Sequence, residues 1–139
     1  MFVSKNQVRM HDTDMAGILY FARQFRFAHD ALEDFVEHAG FTFHHVFHEE
    51  NYVFVIVHCE ADYYTASKVG DKLTVQLTVE RIGTSSFTLN YEIFRDDHTH
   101  VGSAKTTHVT IDRTTRTKID IPLPLRKLLE EHLITDKTA

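Results

Sequence analysis

His11-Asp12-Thr13-Asp14-Met15-Ala16-Gly17-Ile18-Leu19-Tyr20-Phe21 places two carboxylates with a single residue between them, directly ahead of an Ala-Gly break and a long amphipathic segment. From about residue 22 to 39, the apolar positions Phe21, Phe25, Ala28, Leu32, Phe35, Val36 and Ala39 recur at three- and four-residue steps. That period predicts one stripe of a helix, with Gly40 as a natural stop just past it. Asp30, Glu33, Asp34 and Glu37 fall mostly off the stripe.

Strand patterns lie on both sides of this helix. Residues 2 to 11 alternate loosely, with Val8 and Met10 facing one way. Residues 52 to 61 are apolar on both faces for part of their length, which predicts a strand covered on both sides. Residues 72 to 80 alternate strictly, with Leu73, Val75, Leu77 and Val79 against polar neighbours, and residues 86 to 94 repeat this with Phe87, Leu89, Tyr91 and Ile93. Residues 101 to 112 make the last strand, with Val109 and Ile111 on one side. Connections holding Gly70-Asp71, Gly83-Thr84 and Asp96-Asp97 suit antiparallel neighbours. A short final helix follows Pro122 and Pro124, carrying Leu125, Leu128, Leu129 and Leu133. One long helix on one antiparallel sheet is an α+β domain, and a lone sheet leaves an edge or face for a second chain.

A chain of 139 residues with 42% hydrophobic content and 11 Phe fits one domain, residues 1–139, with a real core. The net charge of −5 argues against nucleic acid as a partner, because phosphate neutralisation needs a basic face. The single cysteine, Cys59, forms no internal disulfide and reads as a small core hydrophobe. No apolar run approaches the ~20 residues of a membrane span, and Met-Phe-Val-Ser-Lys-Asn-Gln lacks a signal pattern. The expectation is a soluble, cytoplasmic domain without membrane contact.

The order Asp-x-Asp-x-Ala-Gly, then the long helix, then four strands, resembles the hotdog-fold acyl-CoA thioesterases of the 4-hydroxybenzoyl-CoA thioesterase family. The resemblance implies a hotdog fold, a long central helix wrapped by an antiparallel sheet of about five strands with a short C-terminal helix. It also implies a homodimer, extended to a homotetramer, with acyl-CoA at the subunit interface, no metal and no cofactor. Carried over position by position, the second aspartate, Asp14, is catalytic, and the backbone N–H near Phe21 polarises the carbonyl. Asp12 is then a loop or capping residue.

The chemistry agrees with that assignment. A thioester carbonyl needs an attacking water or nucleophile and a site for the oxyanion that forms. Asp14 supplies the first as general base or as nucleophile. The helix start supplies the second, since its first N–H groups lack internal partners and the macrodipole adds about half a positive charge. Gly17 lets the backbone pass close to a ligand. Turn and N-cap duty alone also explains paired aspartates on local grounds.

The continuation Tyr20-Phe21, Phe25, His29-Asp30-Ala31 and Glu33 is similar to thioesterases that release 1,4-dihydroxy-2-naphthoate from CoA, which makes an aromatic acyl group attractive, with a short-to-medium acyl group as the other expectation. Phe21 stands where many bacterial relatives carry His, so an imidazole mechanism does not transfer. Met15, where small residues or Pro are common, narrows the pocket. His29 or Asp30 is expected near the acyl group, or else both belong to a polar helix face. Tyr20 and Phe25 are pocket or core aromatics. For the CoA end the candidates are Arg81, Thr84, Ser85 and Ser86, with Gly83, in the turn between two strands, helped by Lys68 and Lys105. His44, His45 and His48 invite a metal reading, but a surface connector explains them without Cys or a fourth ligand. His58 and Cys59 point to opposite faces of a strand and form no catalytic pair. Two other functions stay open: a hotdog hydratase or dehydratase using His29 with an acidic residue, and a non-catalytic acyl-CoA or acyl-carrier-protein binder.

Overall fold

The computed structural model describes residues 1–40 and 51–134. Strand β1 (Phe2–Gln7) leads through a 3-10 turn at Met10–Asp12 and a loop to a second 3-10 turn at Phe21–Arg23, which opens helix α1 (Gln24–His38). Strands β2 (Tyr52–Tyr63), β3 (Lys72–Ile82), β4 (Ser86–Arg95) and β5 (His100–Asp112) follow, and helix α2 (Leu123–Glu131) packs on β3. One five-stranded sheet results, in the order β1-β3-β4-β5-β2, with every neighbour antiparallel. This is the α+β architecture expected of the sequence. No helix among the described residues is long and apolar enough to cross a membrane.

The core forms where period-two strands meet a period-3.6 helix. Leu73, Val75, Leu77 and Val79 of β3, and Phe87, Leu89, Tyr91 and Ile93 of β4, are all buried against α1. On α1 the buried face is Gln24, Phe27, Ala28, Ala31, Leu32, Phe35 and Val36. The stripe is therefore rotated by about one residue from the predicted one, taking in Phe27 and Ala31 and leaving Phe21 outside. Phe21 precedes the helix in the 3-10 turn, so helical phase does not govern it.

Several other expectations shift for identifiable reasons. β1 ends at Gln7 because the chain turns into the Met10–Asp12 3-10 segment; Val8 stays buried, while Met10 is exposed. β2 is not covered on both sides within one chain. It is an edge strand, a bulge near Val57 displaces its register on β5, and Val55, Ile56, Val57 and Cys59 are exposed. Cys59 is thus no core residue. Leu133 lies beyond α2 and bridges to Val79 instead of continuing the helix. The connector holding His44, His45 and His48 falls outside the described residues.

Candidate active site

Asp12 is wholly buried, and the loop is built around it. The Arg9 N–H donates to its Oδ2 (2.8 Å), as the local sequence of a short turn allows. Arg26, on the first turn of α1, closes a two-pronged pair: Nε to Oδ1 at 2.8 Å and Nη2 to Oδ2 at 2.6 Å. Burial opposes ionisation of Asp12. The hydrogen bonds from Arg26 and the Arg9 amide, with the charges of Arg26 and His11, outweigh it and hold the carboxyl below the ordinary aspartate value. Asp12 is the structural carboxylate of the pair.

Asp14 is in the opposite condition. The loop folds back as a narrow hairpin, with Tyr20 N–H donating to Asp12 O (2.8 Å), Thr13 bridged to Leu19, and Asp14 N–H donating to Ile18 O (3.1 Å). At the tip, Gly17 N–H returns to Asp14 O, and Ala16 N–H donates to Asp14 Oδ1 (2.8 Å). Gly17 takes φ +77°, the left-handed value that favours glycine, with open space beside its Cα. That leaves Asp14 Oδ2 without a partner among the described residues, on an exposed loop tip.

The other end of the hairpin is the helix entrance. Arg23 N–H caps Tyr20 O, and Gln24 N–H reaches Ala22 O and Phe21 O. The N–H groups of Phe21 and Ala22 meet no acceptor among the described residues. Two free amides at the start of a 3-10 and α-helical run form a ready site for developing negative charge. Each well-aimed donor of this kind is worth roughly 2.7–4 kcal/mol in a transition state.

The surface beside these groups is aromatic. The rings of Tyr20 and Phe21 lie 4.8 Å apart, and Tyr63, at the end of β2, donates its hydroxyl to Phe21 O at 2.6 Å. Burial, then the neighbouring Asp62 and Cys59, push the Tyr63 phenol above its ordinary value, so it stays a neutral donor. A cavity lined by Ile18, Phe21, Gln24, Tyr63, Tyr64 and Ser67, among others, opens here. Gln24 fixes its floor: its Nε2 donates to Asp62 O (3.0 Å) and Ser103 O (2.9 Å), tying α1 to β2 and β5. Gly102 must be glycine for this, because a Cβ would stand 2.5 Å from Asp62 O and 2.7 Å from Gln24 Oε1.

Asp14 and Gly17 thus stand at the tip of the hairpin, while Tyr20 and Phe21 stand at its base beside the helix entrance. Phe25 is partly buried against the core. His29 is exposed, and its charge reaches His108, whose imidazole lies under α1 stacked on Phe87 at 4.9 Å. Asp30 turns its Oδ2 to Arg26 Nη1 (2.8 Å) and Asn6 Nδ2 (2.9 Å) on the β1 side. Consecutive helical residues point about 100° apart, so His29 and Asp30 do not act as one pair. Arg81, Thr84, Ser85 and Ser86 sit at the far end of the sheet. Ser86 pairs with Val109 of β5, whereas Gln24 anchors the helix start against Ser103. At ~3.3 Å per residue, the turn is some ~20 Å from the helix entrance in the same chain. Its carbonyls are engaged by the chain itself: Arg126 Nη2 donates to Gly83 O (2.7 Å), and Ile121 N–H to Thr84 O. Lys105 is paired with Glu80 at 2.7 Å. Among the described residues no group of three or more His, Cys, Asp or Glu gathers to hold a metal.

Arg26, Gln24, Tyr63 and His108 were not singled out from the sequence. Only Arg26 carried a local signal, its four-residue spacing to Asp30. The others depend on contacts between residues far apart in the chain.

Residues 8–131 match the model of the thioesterase-like superfamily. The chain belongs to this superfamily. The 1,4-dihydroxy-2-naphthoyl-CoA hydrolase of Nostoc punctiforme is 34% identical over 129 residues, covering 93% of this chain and 86% of the relative. A Synechococcus protein of the same name is 35% identical over 128 residues, covering 88% and 85%. Among solved structures, the 1,4-dihydroxy-2-naphthoyl-CoA thioesterase of Synechocystis superposes with a TM-score of 0.88 at 27% identity, over 94% of this chain and 96% of that one. The sheet order and central helix of this thioesterase-family chain are therefore those of the hotdog fold.

Proposed function

We propose that the protein hydrolyses an aromatic acyl-CoA thioester, of the class represented by 1,4-dihydroxy-2-naphthoyl-CoA, to the free acid and CoA. One observation carries the reading: the Asp12-closed hairpin bears a partly unbonded Asp14 carboxylate at its tip and runs at its base straight into the Phe21 and Ala22 amides, which meet no acceptor among the described residues, beside exposed aromatic rings. The substrate names of the relatives support the aryl choice. In the reaction, the Phe21 and Ala22 N–H groups take the thioester oxygen as it becomes an oxyanion. Asp14 either removes a proton from the attacking water or adds to the carbonyl, forming a mixed anhydride that water then opens. The carbon–sulfur bond breaks, and CoA leaves as the thiolate and is protonated.

A second copy completes the site in this reading. Val55-Ile56-Val57 lies on β2, whose outer edge has no strand neighbour among the described residues, and Tyr63 joins this strand directly to the helix entrance. Pairing two β2 edges extends the sheet to ten strands and covers Asp14 and the aromatic surface. The partner's Arg81–Ser86 turn then becomes available for the CoA end. A homotetramer and a cytoplasmic site of action are the remaining parts of the proposal.

The test is a thioester panel of 1,4-dihydroxy-2-naphthoyl-, 4-hydroxybenzoyl-, acetyl- and octanoyl-CoA, run beside Asp14→Asn. Aryl-CoA turnover, reduced ~10²–10⁴-fold in the variant, supports the reading. Wild-type turnover by Asp14→Asn removes Asp14 from the mechanism. Tight binding without thiol release makes the protein a binder, and water addition to an enoyl-CoA makes it a hydratase.

A further inference from the structure

The guanidinium of Arg26 uses every nitrogen. Nε and Nη2 hold the two oxygens of Asp12, Nη1 holds Asp30 Oδ2 (2.8 Å), and Nη2 also reaches Gln7 O at the end of β1 (3.1 Å). Asn6 Nδ2 completes the network on Asp30. One side chain of α1 therefore fastens the end of β1, the base of the hairpin and the next turn of its own helix. Asp12 is also where the hairpin closes: Asp12 O accepts the Tyr20 N–H, so the closure lies one residue before the Phe21 amide on one arm and two residues before Asp14 on the other. Asp14 itself has little to hold it, a turn at an exposed tip and one hydrogen bond to its carboxylate.

We propose that Arg26 is a positioning residue for thioester hydrolysis, locking the hairpin that carries Asp14 to the helix that carries the oxyanion amides. The proposal rests on Asp14 being the reacting carboxylate. A buried ion pair is a poor way to gain stability, since an apolar pair of similar volume often does as well or better. What the two-pronged pair provides is one fixed orientation. Lysine keeps the charge but not the fork, and a loop displaced by ~1 Å loses about a hundredfold in rate.

The experiment compares wild type, Arg26→Lys, Arg26→Met, the double variant Asp12→Leu/Arg26→Met, and Asp14→Asn. Each is measured for kcat, KM and melting temperature on the aryl-CoA thioester that wild type turns over fastest. Arg26→Lys is expected to lose about tenfold and Arg26→Met about a hundredfold in kcat, with KM changed less than twofold. The double variant removes both charges; its melting temperature returns towards wild type while kcat stays low. Recovery of kcat in the double variant, or losses in Arg26→Lys that appear in KM alone, overturns the proposal. If Arg26→Met does not fold, Arg26→Lys and the double variant decide the matter. Wild-type kcat in both Arg26 variants beside a slow Asp14→Asn sinks the positioning role and leaves Asp14 catalytic. Wild-type kcat in Asp14→Asn sinks the catalytic reading itself.

Discussion

The two flanks of α1 are finished to different degrees. On the β1 flank, Asp12, Arg26, Asp30 and Asn6 satisfy one another within the chain, and Phe2 packs its ring 5.5 Å from Phe35. On the β2 flank the opposite holds: Val57 is 59% and Phe21 61% exposed, and among the described residues the Phe21 and Ala22 amides meet no acceptor and Asp14 is partly unbonded. Two aspartates of one motif, two residues apart, fall on opposite sides of this divide. The paired one makes structure. Asp12 accepts three hydrogen bonds and is wholly buried from water, whereas Asp14 is exposed and accepts one on its carboxylate among the described residues.

The comparison can be broken most strongly at the two aspartates. Asp14→Asn is expected to lower kcat ~10²–10⁴-fold while leaving the melting temperature unchanged; a matching loss of stability would place Asp14 with Asp12. Asp12→Ala should do the reverse first, destabilising by roughly 3 kcal/mol in chemical denaturation, because Arg26 keeps Asp30 but loses its buried partner. Its pH dependence follows from the depressed folded value. The contribution is present above the unfolded aspartate value and fades as pH falls through the folded one, so wild type and variant converge in strong acid.

His108 sharpens the comparison from beneath the helix. Burial first, and then the charge of His29, lower its value to about 4 from 6.5. Its Nε2 is hydrogen-bonded with Thr106 Oγ1 (2.8 Å), which in turn meets the hydroxyl of the buried Tyr91 (2.9 Å). The folded state thus resists protonation of His108. Stability is full above the unfolded value and declines as pH drops from about 6.5 towards 4, by up to about 3 kcal/mol. His108→Phe should flatten that slope in urea titrations; an unchanged slope would show that His108 does not titrate there. The smallest effect on folding belongs to the open flank. Val57→Lys is expected to shift the folding free energy of the monomer itself by about 0.5 kcal/mol or less, yet to convert the proposed dimer to monomer in light scattering, with loss of the stability that association supplies, and to abolish turnover. A dimer that survives the charge would move the interface away from β2.

Much of this was legible beforehand where one period and one buried face coincide. β3 and β4 alternate as written because one face of each meets α1 and the other does not. The acid-bearing loop, its glycine and the helix that follows were legible because turn chemistry is local, whereas the folding of that loop into a hairpin was not. Cys59 and Val55 to Val57 misled, because an apolar strand reads as covered whether its cover comes from its own chain or from another. The partners of Asp30 were not legible for a related reason: Asn6 and Arg26 meet it only when β1 docks beside α1.

By itself, the sequence determined the elements, their antiparallel sheet and the acid-bearing loop before a helix, since periodicity, glycine and the spacing of two aspartates act over a few residues. The tertiary structure alone decided which aspartate is clamped and which is open, which strand is the bare edge, and that Gln24 needs Gly102 beneath it. Those outcomes depend on desolvation and on hydrogen-bond partners tens of residues away, and neither exists until the chain has closed on itself.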